Sequence, residues 1–279
     1  MAYGGLAYNY INQVDWFMPP SEAAPKTKAA AQKALAIDES NGEAHLSLAL
    51  VAHWYEWDWA AAEREFQRAI ELNPNSAEAH GYYSWFLAPM GRKEQAVAEA
   101  KRCFEADPLS SLANGFAGSI SVFTRQWDTA IDQLRGAIEL DPNFWFNHEF
   151  LGRAYQQKGR LTDAIAEYQR AIELEKDNAE LWSNLGHVYA ISGNRSEAQK
   201  VLDHLNELSA HGYVAPYNQA MVYVGLGEKD QVFAWLDRAY KARSYYFGVS
   251  LTTDARLDSL RSDPRFIDLL RRVGLEGVK

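Results

Sequence analysis

The sequence predicts an all-α fold, a right-handed superhelix of stacked helix hairpins over residues 1–243 with a helical cap over 244–279. Three observations carry this prediction. Similar phrases recur, AIELNPN ending at Asn75, FEADPLS at Ser110, AIELDPN at Asn143 and AIELEKD at Asp177, and Pro74, Pro108 and Pro142 follow one another at intervals of 34 residues. Small and bulky apolar residues share one helical stripe, with Ala164, Tyr168 and Ala171 at i, i+4 and i+7 and Ala62, Phe66 and Ala69 repeating the pattern. A fixed period of this length marks hairpins that bury their apolar faces only against their neighbours.

Taken in order, the first hairpin is incomplete. It opens near Ala2, keeps Gly5 and Tyr8, and meets INQVDWFMPPSEAAP, where the Pro19-Pro20 pair predicts a long loop over about 11–25. Units follow at about 43–75, 76–109, 110–143, 144–177 and 178–211, with a weaker one at 213–243. In the unit that starts near Glu43 the turn reads WYEWDW, so Trp54, Trp57 and Trp59 crowd a place where glycine is usual. Elsewhere Gly159 and Gly193 permit a tight turn, while Gly152 and Gly186 let two helices approach closely. From Ser244 the period stops, and LDSLRSDPRFIDLLRRVGL reads as a closing helix with Arg271 and Arg272 toward solvent. In such an array, removing that helix is expected to weaken the last unit more than the first. The abrupt start suggests a segment of a longer chain, with a possible homo-oligomer contact through the truncated N-terminal edge.

Composition narrows the function. The 279 residues are 47% hydrophobic, ample for a core, and 28 basic residues against 37 acidic ones give a net charge of -9, which opposes nucleic-acid binding through clustered cations. Cys103 is the single cysteine, so neither an intramolecular disulfide nor a CxxC zinc site is available. It shares its slot with Ala69, Ala137 and Ala171 and reads as a small buried hydrophobe. Neither a secretory leader nor an apolar run of membrane-spanning length is apparent, and a cytoplasmic location is expected.

The unit NAELWSNLGHVYAISGNRSEA carries Trp182, Leu185, Gly186, Tyr189, Gly193 and Ala198 at a spacing that resembles the tetratricopeptide-repeat (TPR) family. The whole chain, above all EWDWAAAEREFQRAIELNP and LRSDPRFIDLLRRVGL, is similar to the C-terminal repeat region of multidomain bacterial regulators. None of those proteins' DNA-binding, kinase or cyclase domains is carried over. The resemblance implies that the first helix of each hairpin lines a concave groove. By the family's groove positions these residues are Leu46, Leu50, His53 and Trp54, then Trp85 and Phe123, then Phe146, Glu149, Arg153, Gln156 and Gln157, and finally His187, Ile191, Tyr217 and Met221. Such an aromatic, mixed-polarity groove suits a peptide or a protein surface. The chain is therefore expected to be a non-catalytic interaction module, regulatory or scaffolding, with a small-molecule sensor as the alternative.

An enzyme is the weakest reading, and no cofactor or metal is expected. No HExxH, GxSxG, GxxxxGK[ST] or GxGxxG phrase occurs. Glu149, Arg153 and His187 could converge in the groove as a hydrolase would need, but solvated groove residues do not acquire the required pKa shifts. His45, His80 and His148 share one slot per unit, which means helix-edge packing rather than a metal site. Aromatics at helical spacing are more often core than binding site. Trp182, Tyr155 and Trp127 fall there, whereas Trp54 and Trp85 stand evenly between the two readings unless the first unit's loop covers them.

Overall fold

The computed structural model describes residues 2–13 and 18–278 and is all-α. Seven helix hairpins form among the described residues: α1 Ala2–Ile11 with α2 Pro20–Ile37, α3 Gly42–Val51 with α4 Trp59–Leu72, α5 Ala77–Leu87 with α6 Lys93–Ala106, α7 Ser111–Phe123 with α8 Trp127–Leu140, α9 Trp145–Gln157 with α10 Leu161–Leu174, α11 Ala179–Ile191 with α12 Arg195–His211, and α13 Pro216–Leu226 with α14 Lys229–Lys241. A short helix α15 Tyr246–Val249, a 3-10 turn Ala255–Leu260 and α16 Pro264–Arg272 complete the chain.

Local chemistry starts and stops these helices. The side chains of Asn41, Asp58, Ser76, Ser110 and Asn178 each accept a backbone N–H of the following first turn, caps worth about 1 kcal/mol apiece. Between the two helices of a hairpin the chain passes through a left-handed residue at a 34-residue interval: Gly91, Arg125, Gly159, Gly193 and Gly227 all have positive φ. Trp57 occupies the same slot with φ 55°, following a π-helical turn over Ala52–Glu56 that accommodates the extra residue of the bulky turn.

The first hairpin differs from expectation. Helix α2 begins at Pro20, where a missing N–H costs nothing because first-turn donors have no intrahelical partner, and it continues through Pro25. The expected loop over 11–25 is thus shorter, and its Val14, Asp15, Trp16 and Phe17 lie outside the described residues. The slot facing the hairpin's own second helix belongs to Ala7, which clusters with Ala30, Ala31 and Ala34. Gly5 is exposed and Tyr8 instead meets Tyr82 edge-on at 6.4 Å.

Residues 244–275 do not stack behind the last hairpin as a simple terminal cap. Residues 245–260 enter the concave side of the superhelix, and the residues from α16 to Val273 then bridge the seventh hairpin and the second. Arg265 pairs with Asp230 at 2.9 Å and Arg272 with Asp237 at 3.3 Å, both on α14, while the Trp59 indole N–H donates to the Val273 carbonyl at 2.9 Å. Trp57 packs against Tyr240 and Phe247, with centroids 5.3 and 5.7 Å away, and Arg243 lies over its ring. The second and seventh hairpins are therefore neighbours through the C-terminal residues. The closing residues thus contact the second hairpin as well as the last.

Candidate functional site

First helices deliver their side chains to the concave face because a helix packed on both sides by neighbouring hairpins has one stripe left to project inward. That stripe carries the residues expected to line an open groove, and the chain's own residues 245–260 cover it. Trp54, Trp85, Phe123, Phe146, Glu149, His187, Tyr217 and Met221 are all buried, as are Leu46, Leu50, His53 and Gln156. Arg153 and Gln157 are only half-buried overall, and Ile191 alone stays well exposed. An open groove is corrected to a filled one, and Trp54 and Trp85 resolve as core.

The half formed by α3 to α9 is aromatic. Trp54 sits 5.7 Å from Tyr82 and 5.4 Å from Tyr245 of the covering segment. Trp85 stacks on Phe146 at 5.8 Å, meets Phe123 at 5.5 Å, and donates its indole N–H to Ser119 Oγ at 2.8 Å. The His53 Nε2–H donates to the Gly248 carbonyl at 3.2 Å. Burial lowers the pKa of this imidazole to about 4, so it is neutral and the donating nitrogen is fixed by its carbonyl partner. Gly248 has no room for a side chain, since a Cβ there would stand 2.8 Å from the His53 carbonyl oxygen.

The other half, formed by α9 to α13, is ionic. Arg153 bridges Glu149 at 2.7 Å and Glu180 at 2.6 Å, and Asn184 donates to Glu149 at 3.0 Å. The covering segment supplies Asp254 and Arg256, paired at 2.6 Å, with Arg256 also donating to the Asn184 amide oxygen at 2.6 Å. Tyr217 stacks on Tyr246 at 4.6 Å and donates to Asp254 at 3.3 Å, and Tyr245 donates to Glu180 at 3.4 Å. Burial pushes the Glu149 carboxyl up to about 7 against the pull of Arg153. Burial also acts against the Asp254 charge, yet Arg256 holds it well below the usual carboxylate range.

His187 does not converge with Glu149 and Arg153. Its Nδ1–H donates to the Met221 carbonyl at 2.9 Å, and burial lowers its pKa to about 4. The carboxylate and cation are thus paired with each other, whereas the imidazole is engaged by a backbone carbonyl. Cavities left in the concave face, one beside Arg153 and Arg256 and one between Trp85 and Tyr245, measure about 20 and 10 Å³. The larger has room for about one water, so neither admits a small molecule.

Sequence reasoning missed Glu180, Asn184, Asp254 and Arg256. Glu180 stands at a family groove position and was within reach of that rule, whereas Asp254 and Arg256 lie where the repeat has ended. The histidine slot is also better defined than helix-edge packing. His45, His80 and His148 meet the carboxylates of Glu65, Glu99 and Glu167 through Nδ1 at 2.7, 2.6 and 2.7 Å. Their Nε2 atoms reach the carbonyls of Glu39, Pro74 and Pro142, six residues back, at 3.2, 2.9 and 3.1 Å. Asn114 and Trp182 donate to Pro108 and Lys176 in the same way, so the slot ties each first helix to the turn before it.

A TPR repeat profile matches residues 152–193, and two tetratricopeptide repeat profiles match 65–98 and 179–211. Curated protein sequences gave no match. Among solved structures, the chain is similar to PilW, a widely conserved type IV pilus biogenesis factor, with 22% identity and a TM-score of 0.57 over 74% of this chain and 91% of that one. PilF of Pseudomonas aeruginosa gives 19% identity and 0.55 over 82% and 95%. A human IFIT1 dimer with m7Gppp-AAAA gives 16% identity, with 90% of this chain covering 60% of that one. At these identities the likeness is one of fold.

Proposed function

Since this chain is a tetratricopeptide-repeat protein, a fold that generally serves as an interaction scaffold, we propose that it is a non-catalytic scaffold whose protein partners bind its outer faces and edges. The filling of the concave face by residues 245–260 carries this reading. Burying Tyr245, Tyr246, Phe247, Val249, Leu251, Leu257 and Leu260 contributes about 1.5–3 kcal/mol each, on the order of 10–20 kcal/mol gross. A partner entering the groove would first have to displace these buried side chains, whereas the outer faces are open already. The resemblance to regulator C-termini adds that such a scaffold would act on an attached effector.

A thiol cross-link between Pro89→Cys and Thr252→Cys tests the reading, because the Thr252 hydroxyl already donates to the Pro89 carbonyl at 2.8 Å. The cross-linked chain is expected to retain the same partners from lysate as the wild type. Loss of those partners on cross-linking, with recovery on reduction, would return binding to the concave face. Retention of nothing by either chain would remove the interaction reading.

A further inference from the structure

We propose that residues 245–260 form a flap held over the concave face by one bound proton, so that the face is sealed below neutral pH and opens more readily as the proton is lost. This goes beyond the outer-face reading, which rests on the sealed state. Among the described residues, three carboxyl groups and two guanidiniums meet at the ionic half: Glu149 and Arg153 from α9, Glu180 from α11, and Asp254 and Arg256 from the flap itself. Their side-chain exposures run from 2% for Glu149 to 11% for Arg153. With every carboxyl ionised the set carries one negative charge in excess, which is costly away from water. A single proton makes it neutral.

Geometry selects the carboxyl that takes the proton. Asp254 accepts from the Arg256 backbone N–H at 2.9 Å and from its guanidinium at 2.6 and 3.0 Å, which keeps it ionised. Glu180 accepts from Arg153 at 2.6 Å and from the Tyr245 hydroxyl at 3.4 Å. Glu149 shares that same Arg153 nitrogen and also accepts from the neutral Asn184 amide. The remaining groups around it offer no second ion pair: Arg256 is taken up by Asp254, His187 of α11 is neutral and bonded to Met221, and the Tyr168 and Tyr217 hydroxyls of α10 and α13 donate to Gln156 and Asp254. Burial, against the pull of Arg153, leaves Glu149 at about 7.

The flap is tied at both ends. Arg243 at its base adopts a left-handed φ of 55°, and beyond it Arg265 and Arg272 fasten α16 to α14. At the rim it is held by the pair of Arg125 with Asp258 and by Thr252 on the Pro89 carbonyl. In the open form water reaches Glu149, and its carboxyl returns toward its ordinary value of 4.5. A carboxyl whose pKa is raised in the closed form favours closure below its open value, and this is lost as pH passes the closed one. Opening therefore releases one proton between about pH 4.5 and 7, and its equilibrium constant rises roughly tenfold per pH unit within that window.

The test is thiol labelling of the full chain carrying Ser250→Cys, a buried flap position that borders the same cavity as Glu149. Each rate is divided by that of the same thiol in a Glu149→Gln chain at the same pH, which cancels the thiol's own titration. The ratio is expected to rise on the order of fiftyfold between about pH 5 and 8, mostly below 7. Asp254→Asn removes the excess negative charge by another route and should abolish most of that rise. A level ratio overturns the proposal, and so does a full rise that persists with Asp254→Asn. Native Cys103, buried on α6 away from the concave face, reports on opening of the whole chain. An equal rise in its labelling would overturn the proposal by showing that no separate flap moves. Unchanged circular dichroism verifies the folding of each variant, and partner retention by the cross-linked chain tests the outer-face reading independently.

Discussion

The two halves of the concave face hold the same covering segment by different physics. Around Trp54 and Trp85 the segment is seated by shape, through ring contacts and the hydrogen bonds from His53 to the Gly248 carbonyl and from Thr252 to the Pro89 carbonyl. Around Arg153 it is keyed by charge, with Asp254 and Arg256 entering a network that already contains Glu149, Glu180 and Asn184. A shape-based seat loses stability in proportion to the volume removed. A buried ionic seat loses most when one charge is left without its partner, and can regain stability when both charges go.

The largest expected effect follows from that distinction. Arg256→Ala strands Asp254 and should destabilise the chain by about 3–5 kcal/mol in urea unfolding. Adding Asp254→Asn should return part of the loss, and failure to recover any of it would mean that the charged half works by packing like its counterpart. In the aromatic half Trp85→Ala should cost a comparable ~3–5 kcal/mol, with no second substitution that restores it. Gly248→Ala forces a Cβ against the His53 carbonyl and should cost about 1–3 kcal/mol; an unchanged urea midpoint would show that the seat yields.

Titration sharpens the comparison further. Glu149 is raised from 4.5 to about 7 in the folded chain, so its contribution is fully present below about pH 4.5 and is lost as pH rises to 7. Glu149→Gln should flatten stability against pH in that window. His80, outside the concave face, is raised by its hydrogen bond to Glu99. Its contribution is present below its unfolded value near 6.5 and is lost as pH rises through the higher folded value. His80→Gln should remove the slope above pH 6.5 while leaving the Glu149 window intact; urea midpoints at pH 5, 6.5 and 8 separate the two. The smallest effect is expected at Gln157, half-buried at the rim, where alanine should stay within about 0.5 kcal/mol.

How far the sequence spoke depends on whether a residue belongs to the repeat. Ala62, Phe66, Ala164, Tyr168, Gly159 and Gly193 announce their roles because each hairpin solves the same packing problem, and the groove positions did identify residues on one face. What covers that face was not legible. Tyr245, Gly248, Asp254 and Arg256 fall after the period ends, and their partners lie up to 195 residues away in sequence. No local pattern encodes such a meeting, because each contact depends on the curvature accumulated over the intervening hairpins. The first hairpin failed for a subtler reason: Gly5 and Tyr8 repeat the spacing of Gly186 and Tyr189, yet the slot facing α2 is held by Ala7, so the glycine marks the wrong register.

The bond from Trp59 to Val273 spans 214 residues, and its consequence lies in the order of synthesis. Hairpins with local contacts can form as they leave the ribosome, which elongates at about 5–20 residues per second. The aromatic half, complete once α9 has been made, must then wait for roughly ninety further residues before residues 245–260 reach it, an interval of about 5–20 seconds at those rates. During that time Trp54, Trp85 and Phe146 face water with nothing over them. The segment that ends the exposure is thus among the last made, and a nascent chain interrupted before it carries an open aromatic cleft.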